Sequence, residues 1–432
     1  MQKQRRPSSK SLRSLDYLNV FLADVRDGVG PYLSIYLKAS ANWNPAQIGM
    51  AMSASAIATV IAQTPAGALV DRLRQKRMLI VLAAVFVSIG CIAIGLFPNL
   101  PVVIGSQIMI GIAAAIFPPA IAAITLGLVG HERLDRRVGR NETFNHAGNL
   151  LAATLAGLVG YFIARKAIFF LVAAMAVGSI ISVRMIRERE IDHELARGDG
   201  EEGEESKEED NEKHQQRNEG ILQLLSDRKI LFFTVAVVLF HFANAAMLPL
   251  VGQELAQGKG ASDTVYISAC IIVAQLVMIP VSNLAGRFAH TARKPIFLLG
   301  FAVLPIRGVL YTLSDNPYFL VSVQILDGIA GGIFGVLSVL MVADLTKGTG
   351  RFNVTQGMLN TAVGIGAGLS NVLAGFVVKS AGYNVGFLIL AAMPAAGYAY
   401  AVVALAVFWF CVPETKTGVN RKASPQNNLA KS

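Results

Sequence analysis

Charged residues are scarce in this chain of 432 residues: they make up 15% of it, against 53% hydrophobic residues. Ordinary soluble domains carry about 25% charged residues, so this composition excludes that class and favours insertion into a membrane. Cysteine is scarcer still, with three residues far apart in separate apolar stretches, Cys91, Cys270 and Cys411. Their odd number and wide spacing predict small core residues rather than a disulfide framework or metal site.

Motifs of enzymes are also missing from the sequence. It contains no phosphate-binding glycine loop, so direct use of ATP is not predicted. No cluster of His and Cys with metal-ligand spacing and no pairing of a nucleophile with a base stands out. The sequence therefore predicts a protein that is not an enzyme and that uses no cofactor.

Apolar runs long enough to cross a bilayer recur along the chain. A spanning helix needs roughly 20 predominantly apolar residues, and twelve stretches meet this requirement. The first is predicted to remain as a helix rather than to be cleaved as a signal peptide, because it is long and lacks a small-x-small cleavage site. We number these stretches segments 1 to 12: 15–37, 46–70, 78–97, 101–129, 143–163, 167–186, 229–251, 264–286, 296–313, 318–343, 353–378 and 384–411.

The net charge of +10 is distributed unevenly between the two sides of the predicted membrane. The tails and the short loops on the side of the N-terminus hold 22 Lys and Arg, and the other loops hold five. This asymmetry predicts that both termini are cytoplasmic in a plasma-membrane protein. Anionic membrane lipid, and not nucleic acid, is then the expected partner of the basic residues.

Residues 187–228 interrupt the apolar pattern between segments 6 and 7. They contain fifteen acids, with E-E-G-E-E-S-K-E-E-D at 201–210. A segment this polar cannot bury enough apolar surface to fold, which predicts a solvated linker, with a docking or regulatory segment as the alternative. The predicted divisions are an N-terminal half at 1–190, the linker at 191–226, a C-terminal half at 227–413 and a cytoplasmic tail at 414–432.

The two sides of this linker resemble each other. Segment 4 contains Q-I-M-I-G-I-A-A-A-I-F from Gln107, and segment 10 contains Q-I-L-D-G-I-A-G-G-I-F from Gln324. Segments 5 and 11 contain L-A-A-T-L-A-G at 151–157 and L-S-N-V-L-A-G at 369–375. The offsets are 217 and 218 residues. Internal repeats of this kind are typical of secondary transporters that bind their substrate between two halves.

A charged hinge joins segments 2 and 3, with the sequence G-A-L-V-D-R-L-R-Q-K-R at 67–77. It resembles the G-x-x-x-D-R-x-x-x-R/K-R signature between the second and third helices of the major facilitator superfamily. The resemblance implies an all-α membrane protein with twelve transmembrane helices in two pseudo-symmetric six-helix bundles, acting as a monomer. It also implies a conformational latch formed by Gly67, Asp71, Arg72 and Arg77. The second copy is weaker, because Gly286 stands at the position of Asp71.

Five charged residues lie near the middle of predicted spans: Asp24, Arg26, Asp27, Arg307 and Asp327. Each such charge costs about 2.5–3.5 kcal/mol on insertion scales, so each needs a partner, a cavity or a function. Asp24 and Asp27 share one helical face, and Gly28, Gly30 and Pro31 are expected to weaken the helix just beyond them. The cluster in segment 1 is predicted to bind substrate or protons. The alternative is that Arg26 neutralises one Asp for packing alone.

The resemblance implies a cavity lined by segments 1, 4, 7 and 10, whose polar residues are the predicted substrate- and proton-binding residues. These are Asp24, Arg26, Asp27, Gln107, His241, Asn244, Gln324 and Asp327. Asp327 is the most isolated acid and is the predicted proton-coupling carboxylate, unless it only hydrogen-bonds a neighbouring helix. His241 is either a pH-responsive group or a satisfied hydrogen-bonding residue. Arg307 lies on segment 9, peripheral in the family, and is expected to snorkel or to pair within the C-terminal half.

Together these features predict proton-coupled transport of a small organic solute by alternating access, with export favoured. Departures from the antiporter pattern leave other functions open. Gln107 stands where many proton antiporters of the family carry an Arg, and Asn149 stands where their fifth helix often has a Pro. An importer of organic anions, with Arg26 binding a carboxylate, is the first alternative. A transporter-like sensor that moves no solute is the second.

Overall fold

The computed structural model describes residues 7–27, 29–130, 133–193, 196, 227–257, 262–345 and 352–392, and these residues contain helices and no strand. Most predicted segments correspond to one helix or to two consecutive helices. The helices are Ser9–Asp27 and Pro31–Ala39 (segment 1), Pro45–Arg72 (2), Lys76–Leu96 (3), Leu100–Ala114 and Phe117–Val129 (4), Leu134–Phe162 (5), Ala167–Met185 (6), Arg228–Asn244 and Met247–Leu255 (7), Ser262–Leu310 (8 and 9), Pro317–Leu345 (10), Phe352–Ala381 (11) and Tyr383–Ala392 (12).

Eight of the twelve segments pass a test of length and hydropathy for a membrane span within the described residues, namely 2, 3, 4, 6, 7, 8, 10 and 11. Segments 9 and 12 are represented by the shorter apolar helices Pro295–Leu310 and Tyr383–Ala392. Segments 1 and 5 fall below the test because polar residues interrupt them, including the charges near Asp24 and the polar sequence N-H-A-G-N at 145–149.

Segments 1 and 7 break at equivalent places. The first helix of segment 1 ends at Asp27, Gly30 takes the positive φ of 45°, and Pro31 starts the second helix. Glycine suits this position because the left-handed region carries no penalty for it, and proline suits the first turn of a helix. The predicted weak point beyond Asp27 is therefore confirmed. Segment 7 restarts at Met247, 216 residues after Pro31, so the internal repeat extends to the position of the break.

Segments 8 and 9 form one uninterrupted helical run, and the basic turn predicted between them is itself helical. A straight helix would place Ala274 and Arg307 about 50 Å apart. Both nevertheless meet segment 10 at consecutive residues: Arg307 binds Asp327, and a Cβ at Gly328 would lie 2.6 Å from the carbonyl oxygen of Ala274. The run therefore folds back on itself between these residues. It forms two antiparallel segments, as predicted, with helical residues on both sides of the turn.

The ends of the helices define two faces of the bundle. We call the face that carries the turns 73–75, 186–190 and 290–294 the basic face, and the other the opposite face. Contacts between segments 1–6 and segments 7–12 concentrate toward the opposite face. There Arg165 Nε donates to both carboxylate oxygens of Asp263, at 2.8 and 3.1 Å, and Asp263 is fully buried. Tyr32 Oη lies 2.7 Å from Ser268 Oγ, and so joins segment 1 to segment 8.

Segments 2 and 11 also pack closely in the part of the bundle that lies toward the opposite face. Ser53 Oγ donates to the carbonyl oxygen of Gly368 at 2.7 Å, and a Cβ at Gly375 would lie 2.6 Å from the carbonyl oxygen of Pro45. Nearer the middle of segment 2, Val60 still meets Gly364. Beyond that contact, segment 2 continues toward the basic face with Ile61 71% exposed. The halves thus meet between the opposite face and the centre of the bundle.

The acidic segment begins as a packed structure. Ile191 and Ala196 are buried, and Asp192 N donates to the carbonyl oxygen of Gly127 at 2.9 Å. The remainder of the predicted linker, 197–226, and the predicted tail, 414–432, lie outside the described residues. Cys91 and Cys270 are free and buried, which confirms the prediction of core residues, and Cys411 lies outside the described residues.

Substituting Gly49 should disfavour this arrangement of the halves. An added Cβ would overlap the backbone carbonyl of Asn371, whereas a Cβ at Gly105 in segment 4 meets nothing within 4 Å. We expect Gly49→Ala to increase the reaction rate of a cysteine placed at buried Ser34 with a polar maleimide by at least about tenfold, which corresponds to about 1.4 kcal/mol. The protein would be labelled in detergent with its native cysteines replaced by alanine. Gly105→Ala is the control, and equal labelling of the two variants would contradict the prediction.

Candidate functional site

A buried arginine organises the centre of segments 7–12. Arg307 Nη1 donates to Asp327 Oδ1 at 2.6 Å and also to Asn244 Oδ1. Its Nε donates to Tyr311 Oη at 2.8 Å, and its Nη2 donates to Gln324 Oε1 at 3.4 Å. Gln324 Nε2 in turn donates to Tyr311 Oη at 2.8 Å. We call these five residues the central cluster.

Local structure brings the members of the central cluster together. Tyr311 follows Arg307 by four residues, and Gln324 precedes Asp327 by three, so each pair shares a helical face. Asn244 is the last residue of the first helix of segment 7. Its side chain therefore stands where the backbone of that segment breaks. The cluster joins segments 7, 9 and 10 at this break.

Burial explains why so many groups surround one guanidinium. A buried charge must be paired and hydrogen-bonded, because leaving it without partners costs several kcal/mol. The Arg307 side chain is 1% exposed and that of Asp327 is 16% exposed, so the carboxylate is the accessible member of the pair. The prediction that Asp327 is an isolated acid is wrong. The pairing of Arg307 within the C-terminal half is confirmed, and full burial excludes snorkelling.

The other predicted residue of segment 7, His241, lies beside an aromatic cluster. Its Nδ1 lies 3.1 Å from the carbonyl oxygen of Val237, one turn earlier. The imidazole ring meets Phe334 edge-on at 4.8 Å and Phe240 at 5.3 Å. The backbone contact satisfies one ring nitrogen, as the hydrogen-bonding interpretation predicts.

The predicted residues of the first half stand 217 positions before those of the second, as the pairs Asp24 and His241, Asp27 and Asn244, and Gln107 and Gln324. Asp24 and Arg26 are half-buried and Gln107 is buried. Asp24 lies within electrostatic reach of Tyr32 and Cys91. The side chain of Asp27 lies outside the described part of the chain.

Comparison with known proteins identifies the family. The family model described as the Major Facilitator Superfamily matches residues 17–313 and 290–431. The chain belongs to the major facilitator superfamily. It is 50% identical over 395 residues to an uncharacterized MFS-type transporter of Mycobacterium tuberculosis (strain H37Rv), covering 91% of this chain and 92% of the relative. It is also 25% identical over 173 residues to Multidrug resistance protein 2 of Bacillus subtilis, covering 39% of this chain and 42% of that protein.

Solved structures show the same fold at low sequence identity. The crystal structure of the nucleoside transporter NupG matches with a TM-score of 0.69 at 14% identity, covering 92% of this chain and 99% of that one. A mutant of NupG matches with a TM-score of 0.73, covering 91% and 98%. At this identity the likeness shows the fold of the superfamily alone. Membership and fold together make the protein a secondary transporter of the membrane.

The superfamily's charged hinge is held by residues just outside the predicted latch. Lys76 is fully buried, and its Nζ donates to the carbonyl oxygens of Val70 at 2.8 Å and Leu73 at 3.3 Å. A cation that binds the last carbonyls stabilises the C-terminal end of a helix, here that of segment 2. Of the predicted latch residues, Asp71 and Arg72 are exposed at this end of segment 2. The sequence gives no sign of this role of Lys76, because a lysine in a basic loop is usually solvated.

Arg77, the last predicted latch residue, binds segment 6 and the turn that follows it. It forms an ion pair with Glu188, and its Nη1 donates to the carbonyl oxygen of Ile186 at 2.6 Å. Gly67 has room for a side chain, since an added Cβ would meet nothing within 4 Å. In the second copy of the hinge, Arg293 forms an ion pair with Asp344 at the end of segment 10. Arg77 and Arg293 thus each hold their own half together at the basic face.

A further ionic cluster escaped the sequence analysis. Asp16 is buried in segment 1 and accepts hydrogen bonds from Nη2 of Arg137 and Nη2 of Arg140 in segment 5, both at 2.7 Å. Arg137 Nε also donates to Asn141 Oδ1 at 2.9 Å. Asp16 lies next to the predicted start of segment 1, where a charge is ordinary. The spacing of the two arginines, three residues apart on a segment of low hydropathy, was the available signal.

Neutralising both members of the Arg307–Asp327 pair should be less harmful than neutralising one. A single Arg307→Gln or Asp327→Asn change leaves a buried charge or unpaired donors, at a cost of about 3–5 kcal/mol. The double variant removes both desolvation penalties, so we expect its thermal unfolding midpoint in detergent to lie above that of Arg307→Gln. Arg287→Gln, at an exposed arginine of segment 8, controls for loss of positive charge. If the unfolding midpoint of the double variant fell by the sum of the decreases in the two single variants, the two residues would not be coupled.

Proposed function

We propose that this secondary transporter is coupled to protons and exports a small organic solute. The Arg307–Asp327 pair carries the proposal, because it places an accessible carboxylate inside an otherwise closed polar cluster. Perturbed or specifically paired titratable groups in the interior of a transporter mark ion pathways more often than packing alone. The proposed substrate is bound between the halves, as in transporters built from repeats.

Proton binding at Asp327 would be linked to movement. A proton and the guanidinium of Arg307 compete for the same carboxylate oxygens, so protonation favours separation of segments 9 and 10 at this pair. Since Nη1 of Arg307 also binds Asn244, a guanidinium that leaves Asp327 would also change its contact with the break in segment 7. Binding that favours one arrangement of two packed elements shifts the population toward it. The pair would re-form when the proton leaves.

The charges of the loops are the basis for assigning the two faces of the protein to the two sides of the membrane. We assign the basic face to the cytoplasm, because the short loops and the tails on that side hold 22 Lys and Arg against five in the loops on the other. The halves meet toward the opposite face, so the described state would open to the cytoplasm in the plasma membrane. An exporter loads its solute in such a state. The proposed transport unit is a monomer with halves at 1–190 and 227–413, the linker at 191–226 and the tail at 414–432.

The first half would supply the other wall of the solute site. Its proposed residues are Asp24, Arg26, Asp27 and Gln107, and the proposed residues of the second half are His241, Asn244, Gln324 and Asp327. The breaks beyond Asp27 and at Asn244 support this assignment, because broken helices expose backbone groups that can contact a ligand. Carboxylates on this wall suit a solute with hydrogen-bond donors or positive charge.

Export of a solute and symport of an organic anion are supported by different observations. Export is supported by the similarity to Multidrug resistance protein 2 of B. subtilis. Symport of an organic anion is supported by Arg307, because a buried guanidinium needs a new anion when Asp327 takes up a proton. In that case Arg26 would bind the solute's carboxylate from the first half. A sensor that moves nothing would give no uptake or counterflow in any of the assays below.

Asp327→Asn should uncouple transport from the pH gradient. The solute would first be identified as the compound that differs most between cells with and without the protein, and then be measured in proteoliposomes. We expect the variant to lose accumulation driven by a pH gradient and to retain counterflow, because exchange needs no net proton movement. Asp315→Asn, at an exposed acid of the turn between segments 9 and 10, is the matched control. Accumulation at the wild-type level would move the coupling site to Asp24 or Asp27.

The proposed latch at Gly67, Asp71, Arg72 and Arg77 predicts a second phenotype. Asp71 lies at the end of segment 2, beside the base-rich turn held by Lys76 and Arg77. Loss of one charge-assisted bond that is made in only one state should slow exchange by roughly tenfold, for about 1.4 kcal/mol. We therefore expect Asp71→Asn to fold normally and to show slower counterflow than Asp315→Asn. A folded variant with wild-type rates would remove Asp71 from the latch.

A further inference from the structure

A cavity opens at the basic face between the hinge and the end of segment 6. Its volume is about 550 Å³, and its lining includes Arg74, Arg77, Arg184, Met78 and Val81. Glu188 and His193 complete the lining on the side of segment 6. The central cluster does not reach this cavity, since it lies in the other half of the chain.

The charges around this cavity do not balance. Glu188 is engaged by Arg77 and lies 3.2 Å from Nε2 of His193. Arg74 and Arg184 are exposed, and neither forms an ion pair with a described residue. Two guanidinium groups therefore remain available to one ligand. Arginine presents paired donors that match phosphate geometry, and an anion bound by two of them is favoured over a neutral group.

Apolar surface continues from the cavity along both segments. On segment 3, Met78 is followed at helical spacing by exposed Leu82, Phe86 and Ile89. On segment 6, the exposed residues Val177, Ile181 and Met185 form the matching stripe. The two segments pack antiparallel, with Phe169 against Gly95 at one end and Arg77 against Glu188 at the other. An apolar stripe therefore runs away from a basic cavity on each of two adjoining helices.

We propose that this cavity binds the headgroup of an anionic phospholipid. The phosphate lies between Arg74 and Arg184, and the acyl chains lie along the exposed stripes of segments 3 and 6. A soluble anion would bind the two arginines and leave the apolar stripes uncovered. A zwitterionic lipid would place the positive charge of its own headgroup close to the arginines. Placement in the cytoplasmic leaflet rests on the proposed orientation of the protein. The binding itself rests only on its insertion in a membrane.

The site also adjoins the hinge. Arg77 lines the cavity and holds segment 3 to Glu188 and to the carbonyl oxygen of Ile186. A phosphate between Arg74 and Arg184 joins the hinge before segment 3 to the end of segment 6. Bound lipid therefore stabilises the contact between the two segments that carry the stripes.

The test compares lipid binding by the purified full-length protein and its variants. Native mass spectrometry would count bound phosphatidylglycerol against phosphatidylcholine at equal concentration, and glycerol phosphate would be the soluble-anion arm. We expect retention of phosphatidylglycerol, no retention of glycerol phosphate, and about 30-fold weaker phosphatidylglycerol binding in the double variant Arg74→Gln/Arg184→Gln, at roughly a fivefold loss for each arginine near a lipid headgroup. The matched control is Arg133→Gln/Arg287→Gln, which removes two exposed arginines from the same face.

Equal loss in both double variants would overturn the proposal, because it would show general attraction to a basic surface. Retention of glycerol phosphate in place of lipid would overturn it in favour of a soluble anion. If the protein without residues 199–216 bound more phosphatidylglycerol than the full-length protein, the acidic linker and not the lipid would be the native occupant of the cavity. None of these readouts uses transport, so their outcome is independent of solute, coupling and direction.

Discussion

The need to satisfy one buried guanidinium governs the centre of the second half. Arg307 sits in an apolar bundle where water cannot replace a missing partner, so each of its donors must find an acceptor from the protein. Those acceptors come from three segments: Asn244 on segment 7, Tyr311 on segment 9, and Gln324 and Asp327 on segment 10. Rotation of any of these segments about its axis would leave a charge or a donor unpaired. One side chain thus fixes the mutual orientation of three helices.

The two halves share their backbone pattern and differ in where they place charge. Segments 1 and 7 break at equivalent positions, with restarts at Pro31 and Met247. In the first half the acids stand on the broken segment itself, at Asp24 and Asp27, while the second half places Asn244 at the break and pairs its acid with Arg307. A common scaffold with unequal charges can bind an asymmetric solute between its halves, because each wall then offers different chemistry.

Contacts within each half and contacts between the halves lie toward different faces of the bundle. Toward the basic face, ion pairs such as Arg77–Glu188, Arg293–Asp344 and Asp16–Arg137 join segments of the same half. Toward the opposite face, the halves meet largely through glycine and hydroxyl contacts, with Arg165–Asp263 as an ion pair among them. Small residues let helices approach closely without interlocking side chains, so such an interface can separate at low cost. This division would let each half move as a unit, which the proposed transport by alternating access requires.

The sequence by itself determined the all-helical membrane fold, the repeat, and the weak point after Asp27. These follow from local quantities: runs of apolar residues, their offset along the chain, and the backbone preferences of glycine and proline. The partners of the buried charges were decided by the tertiary structure alone. Arg307 and Asp327 are 20 residues apart on different segments, and Asp16 and Arg137 are 121 apart, so no helical spacing relates them. Ion pairing depends on how helices are rotated and packed, and that rotation is set by all of their neighbours at once.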